Sequence, residues 1–289
     1  MSFAKGSDSN FRNSGHYLLT VVLTIVGFTA GIFIGAILSR VLISDVETAA
    51  SWKIFGLQFT PFIIGLATLF ACLKYIHKLP IRSSITARKS FSWKRYAFAF
   101  FLWLTIQVVF LLTAIASGAP ISFSFSAATF VPLLIISLTL LPIQTAFEDI
   151  FYRGFLFQAL TNAVGRASLA ILILAAIFGW MHAGNPEVAI LGYSVLFYYI
   201  LSGLFMGVLT HFDDGLELSM GYHFANNFFG AVIVTNSWQV FQTDALVTDH
   251  SKPEMGFELW AVLLIIQPAL LYVFYKVYRW KNPKAKILE

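Results

Sequence analysis

From residue 96 to residue 147 the chain carries no Asp, Glu, Lys or Arg. A soluble fold has no means of covering so long an uncharged stretch, whereas a helix crossing a hydrocarbon core about 30 Å thick needs about 20 mainly apolar residues. Ser117-Gly118-Ala119-Pro120 and the serines that follow divide the stretch into two helices. The rest of the chain has the same character: 58% of its 289 residues are hydrophobic and 11% are charged. A soluble domain carries roughly 25% charged residues. The fold class is therefore all-α, a polytopic membrane helical bundle. Uncharged runs place about eight transmembrane helices near 17–43, 54–75, 96–117, 128 into the 150s, 167–183, 188–211, 218–235 and 259–278. Pro61, Pro132, Pro142 and Pro268 fall inside these spans, where neighbouring helices can satisfy the freed carbonyls. The lone Cys72 excludes an intramolecular disulfide scaffold. The first apolar run is far longer than a signal-peptide core of about 7–15 residues and is expected to stay in the membrane.

The net charge of +5 is distributed as a topology signal rather than as a nucleic-acid-binding face. Lys74, Lys78, Arg82, Arg88, Lys89, Lys94 and Arg95 crowd the loop after the second span. Lys5 and Arg12 precede the first span, Arg153 and Arg166 fall near the end of the fourth, and Lys276, Arg279, Lys281, Lys284 and Lys286 close the chain. Loops 118–127 and 236–257 hold one Lys or Arg, Lys252. Both termini are thus expected in the cytoplasm, and the basic segment 80–95 is expected to lie on anionic lipids. Asp213, Asp214 and Glu217 read as solvated or helix-starting acids. Gly27, Gly31 and Gly35 form a stripe of small residues that suits close packing within the bundle or the seam of a homo-oligomer. The chain divides into residues 1–127, three helices with the basic loop 74–95; residues 128–236, which hold the chemistry; and residues 237–289, a loop, the last helix and a basic tail.

Ionisable groups inside membrane spans are costly and point to function. Three clusters occur: Gln144, Glu148, Asp149 and Arg153 on the fourth span, His182 on the fifth with Phe178 before it, and His223, Asn226 and Asn227 on the seventh. Asp149 and Arg153 are four residues apart, and an ion pair between them lowers the cost of burying either. Glu148 is turned about 100° away with Gln144 and Tyr152 and has no evident partner on its own helix. A carboxylate so placed suits a general base, while an ion-pair network that only holds the bundle together is the alternative. His223 and Asn227 share a helix face and can donate hydrogen bonds to a developing oxyanion or serve as interhelical glue. His182 alone has the same two readings.

Relative position favours chemistry. Glu148 and His182 are each 17 residues from Gly165, the expected turn between the fourth and fifth spans. An antiparallel hairpin brings them to one height, about 20–25 Å from the turn. His223 lies only about 9 Å into its span if that helix starts at Glu217. The two estimates agree if the hairpin projects about 10–15 Å into the cytoplasm, leaving a cavity that faces that side.

At these residues the chain resembles the CPBP intramembrane proteases, a family that includes CaaX-processing endopeptidases, bacteriocin-processing enzymes and abortive-infection proteins. Glu148, Asp149 and Arg153 match a motif of two glutamates, three residues and an arginine, with Asp149 in place of the second glutamate. Phe178 to His182 match the second motif and His223 to Asn227 the third, and the resemblance spans about residues 128–236. It implies an endopeptidase whose site lies inside the membrane and opens to the cytoplasm. Glu148, aided by His182, would activate a water; His223 and Asn227 would form the oxyanion hole; Asp149 and Arg153 would support them. Family members have also been described as metalloproteases. If zinc is present, Glu148, His182 and His223 would be its ligands, but the lack of an HExxH-type pair leaves no cofactor assigned. The resemblance implies a membrane-protein, lipidated-protein or peptide substrate and a multi-pass location in the inner membrane of a bacterium. Two other classes use the same residues: a transporter or proton relay, against which the lack of duplicated halves counts, and a non-catalytic immunity or scaffold protein on the same fold.

Overall fold

The computed structural model describes residues 3–6, 14–43, 45, 49–281 and 286. Arg12 and Lys284 of the basic tally lie outside the described residues. All eight apolar segments are helical: α1 Ser14–Leu42, α2 Ser51–Tyr75, α3 Trp93–Ala116, α4 Ala127–Val164, α5 Ala167–Met181, α6 Tyr193–Asp213, α7 Glu217–Phe228 and α8 Phe257–Tyr278. Six of them, all but α5 and α7, are long and apolar enough to cross a membrane. The chain is thus an all-α, multi-pass membrane bundle. The two shorter helices carry His182 at the C-terminal cap of α5 and His223 inside α7. The α7 helix continues through a π-helical turn, Phe229–Ile233.

Helix α4 has 38 residues, about 57 Å at 1.5 Å per residue, nearly twice the hydrocarbon thickness of about 30 Å. It ends at Gly165, whose φ of +75° is the left-handed conformation that glycine adopts at helix ends. Its last turns lie under the basic loop, where Gln158 Nε2 donates to the Ser83 carbonyl at 2.9 Å. Gly154 faces the Ser84 carbonyl so closely that any Cβ would collide with it.

The stripe of Gly27 and Gly31 on α1 meets Thr68 and Pro61 of α2, and Gly35 meets Leu57 and Thr60. These glycines serve packing between two helices of one chain. Of the acids read as solvated or helix-starting, Glu217 does open α7, but it and Asp213 are buried rather than solvated. Arg88 pairs with Asp213 and Glu217 at 2.8 Å each, and Arg95 pairs with Asp213. Both acid side chains are 0% exposed. Burial at the turn between α6 and α7 makes the two carboxylates need cations, and the basic loop supplies them. Two of the loop's charges are therefore spent inside the protein, while Arg82, Lys89 and Lys94 remain exposed. Asp214 gathers both ends of the chain, accepting from the Phe3 amide at 3.1 Å and pairing with Lys286 at 2.6 Å.

At the opposite end the loops are not irregular throughout. β1 Ile121–Phe123 pairs antiparallel with β3 Val247–Asp249, and β3 pairs parallel with β2 Val234–Thr235, in the order β1-β3-β2. This small sheet joins the segments before α4, after α7 and before α8.

Candidate active site

The fourth span changes helical type where its charged residues begin. It is α-helical to Glu148 and π-helical over Asp149–Leu156. Such insertions are uncommon and occur frequently at functional sites. Around this junction Gln144 and Glu148 line a cavity, whereas Asp149 is completely buried behind it.

Glu148 is held on both oxygens. Gln144 Nε2 donates to Oε1 at 2.5 Å, and His223 Nε2 lies 3.5 Å from Oε2. Its partner on its own helix is thus Gln144, one turn earlier, which the sequence reading placed on the same face without pairing them. The other nitrogen of His223, Nδ1, lies 3.3 Å from Asp149 Oδ2. Asp149 Oδ1 accepts from Arg153 at 2.5 Å, so the expected four-residue ion pair forms. The Arg153 guanidinium also lies over the Phe178 ring, 4.3 Å from its centroid. His223 therefore stands between two carboxylates, and the ion pair buttresses it from behind.

His182 caps the end of α5. Its Nδ1 is 2.7 Å from the Phe178 carbonyl oxygen. A carbonyl only accepts, so this contact places the proton on Nδ1 and leaves Nε2 with its lone pair. The ring stacks on Tyr199, with centroids 4.0 Å apart and planes 17° apart. Asn227 donates from Nδ2 to Gln144 Oε1 at 2.9 Å, and the second Nδ2 hydrogen remains for another acceptor. Asn226 accepts from Trp103 Nε1 at 3.3 Å and donates to Asn227 Oδ1 at 3.5 Å.

Glu148, His182, His223 and Asn227 all line one cavity of about 570 Å³. The hairpin through Gly165 thus brings Glu148 and His182 to one chamber. The lining also reaches residues outside the three motifs. Gln58, Tyr199, Trp238 and Leu259 line the cavity, and each lies toward the end of the bundle away from the basic loop. Toward the basic end, Phe151, Phe155, Leu216 and Met220 fill the core.

The donors do not converge as a zinc site requires. The Nδ1 contacts of His182 with a backbone carbonyl and of His223 with Asp149 would by themselves suit metal-ligating histidines, so the test is whether the side chains gather around one point. Among the described residues no group of three or more His, Cys, Asp or Glu side chains is placed to hold a metal ion. No step is therefore routed through a metal.

Sequence reasoning passed over Glu187, Asn185 and Tyr199, which also line the cavity. A lone acid just before an apolar run was the available signal for Glu187.

Residues 127–229 match the family model described as Type II CAAX prenyl endopeptidase Rce1-like. Over 293 aligned residues the chain is 27% identical to "Uncharacterized protein YyaK" of Bacillus subtilis (strain 168), covering 98% of this chain and 95% of that protein. No solved structure matches. The resemblance read from the three motifs is thus borne out: the segment that carries them, residues 127–229, is similar to the family described as Type II CAAX prenyl endopeptidase Rce1-like.

Proposed function

We propose that the chain is an intramembrane endopeptidase that hydrolyses a peptide bond of a membrane-associated protein or peptide, in the cytoplasmic membrane of a bacterium. The observation that carries this reading is the convergence of Glu148, His182, His223 and Asn227 on one cavity. A water held between the Glu148 carboxylate and His182 Nε2 loses a proton to Glu148 while its oxygen attacks the peptide carbonyl carbon. The oxyanion accepts hydrogen bonds from the second Asn227 amide hydrogen and from Nε2–H of His223, whose ring donates through both nitrogens as an imidazolium, Nδ1–H to Asp149 and Nε2–H to the oxygen. Collapse breaks the C–N bond, and Glu148 returns the proton to the leaving nitrogen, giving a carboxylate-terminated and an amine-terminated product. Asp149 and Arg153 hold the His223 ring in place through Nδ1.

If the basic end faces the cytoplasm, as its charge suggests, the substrate reaches Glu148 from the opposite side or from within the bilayer. Anionic lipids then meet Arg82, Lys89 and Lys94, the exposed part of the basic segment.

The test is cleavage of tagged membrane peptides, prenylated and unprenylated, by detergent-purified protein. Glu148→Gln, His182→Ala and His223→Ala are each expected to lose about 100-fold or more. A folded Glu148→Gln that cuts as fast as the wild type would overturn the mechanism.

A further inference from the structure

The cavity contains a second buried acid that the hydrolytic step does not use. Glu187 lies on the short helix Pro186–Leu191, is 7% exposed and lines the same cavity as Glu148. Its Oε1 accepts from the Tyr199 hydroxyl and from Asn185 Nδ2, the latter at 3.1 Å. Its Oε2 is shielded from bulk solvent and has no hydrogen-bond partner among the described residues. A buried carboxylate oxygen without a donor is costly, and a cation or strong donor removes that cost.

The surroundings favour a cation. Glu148, Glu187 and Glu254 line the cavity, and no Lys or Arg does. A cleft lined by one sign of charge with low-dielectric walls concentrates the opposite sign. The last torsion of a Glu side chain is broad and roughly two-fold, so one oxygen can turn to the cavity while the other keeps the Tyr199 hydroxyl. The acid is also tied to the reacting groups, because Tyr199, which holds it, stacks on His182. A ligand group seated on Glu187 is thereby placed beside the site of hydrolysis.

Resting on the peptidase reading, we infer that Glu187 determines specificity by binding the ammonium or guanidinium of a Lys or Arg side chain in the peptide to be cut. Such a subsite takes an apolar membrane segment with one basic residue near the scissile bond. It also accounts for an acid kept where burial alone would disfavour it.

Binding to the Glu148→Gln variant tests this without requiring cleavage. The probes are fluorescent leucine-rich decapeptides carrying one Lys at successive positions, each paired with a norleucine twin. At one or two positions the Lys peptide is expected to bind about tenfold tighter than its twin. Adding Glu187→Gln is expected to bring the pair to within about twofold. Glu187→Asp, which draws the charge back by one methylene, should weaken the preference severalfold, and it supplies the reading if Glu187→Gln fails to fold. No preference at any position in Glu148→Gln, or a preference that neither Glu187 variant reduces, overturns the inference. Wild-type protein that binds the Lys peptides in this way yet cuts none of them would instead count against the peptidase reading alone.

Discussion

Gln144 donates to Glu148 at 2.5 Å from one turn earlier on the same helix, and it accepts from Asn227 at 2.9 Å through its other amide atom. One carboxamide thus fixes both the proposed base and one proposed oxyanion donor. Gln144→Leu removes a donor to a partly buried carboxylate and an acceptor for Asn227, a loss of about 1–3 kcal/mol. Converted to rate, that is about a 10- to 100-fold fall in kcat, with a smaller change in KM because neither lost bond reaches the substrate. Wild-type kcat in a folded Gln144→Leu would show that the amide is only a spectator.

The legible parts of this site are local in sequence. The Asp149–Arg153 pair follows from four-residue spacing, and the Gly165 turn follows from a glycine between two apolar runs. The Gln144–Asn227 bond depends on how α7 is registered against α4, across 83 residues, and no local spacing encodes it. Likewise, Arg88 finds Asp213 and Glu217 more than 120 residues along the chain, so the acids read as solvated or helix-starting when judged by their neighbours alone. The π-helical stretch from Asp149 changes which side chains face together, and a sequence read at 3.6 residues per turn does not reveal it. The three strands have two or three residues each, too few to display alternation.

Asp149→Asn leaves the Arg153 guanidinium buried with its charge uncompensated. Removing one member of a buried pair costs about 3–5 kcal/mol, so the thermal midpoint in detergent should fall markedly. The paired change Asp149→Leu with Arg153→Met should recover most of that stability, because both charges go together, while hydrolysis stays low because His223 Nδ1 has lost its acceptor. Recovery of activity along with stability would remove Asp149 from the mechanism.

Gly221 lies two residues before His223, where α7 meets α3. A Cβ there would collide with the Tyr96 carbonyl oxygen and crowd Ala99. Gly221→Ala must therefore push the helices apart, at a cost of about 1–3 kcal/mol for an overpacked core. The displacement carries His223 with it, so kcat should fall even in the folded fraction. The measurement is single-turnover cleavage after separating the folded protein by size exclusion. An unchanged rate would mean that the site tolerates a shift of α7.

Because no three His, Cys, Asp or Glu side chains among the described residues gather around one point, cleavage is expected to proceed without a bound metal. Treatment with EDTA or phenanthroline should leave the rate within about twofold, whereas a catalytic zinc held by three side chains would be stripped along with the activity. Loss on chelation with recovery on adding zinc would show that the His and Glu side chains rearrange around an ion.

His77 lies just beyond α2, is buried, and has Nε2 2.8 Å from Thr20 Oγ1 on α1. Burial lowers its pKa below the ordinary 6.5, and the neighbouring His16 lowers it further. The folded protein therefore holds the ring neutral at a pH where the unfolded chain would protonate it. Above about pH 6.5 neither state binds the proton, and the full stability is present. As the pH falls through that value the unfolded state takes up a proton that the folded state does not, and stability declines until the lowered folded pKa is passed. The thermal midpoint of the wild type should thus drop between about pH 8 and pH 5.5. His77→Gln, which has no proton to take up there, should show a smaller drop from a lower starting midpoint; an equal drop in both proteins would assign the acid sensitivity to other groups.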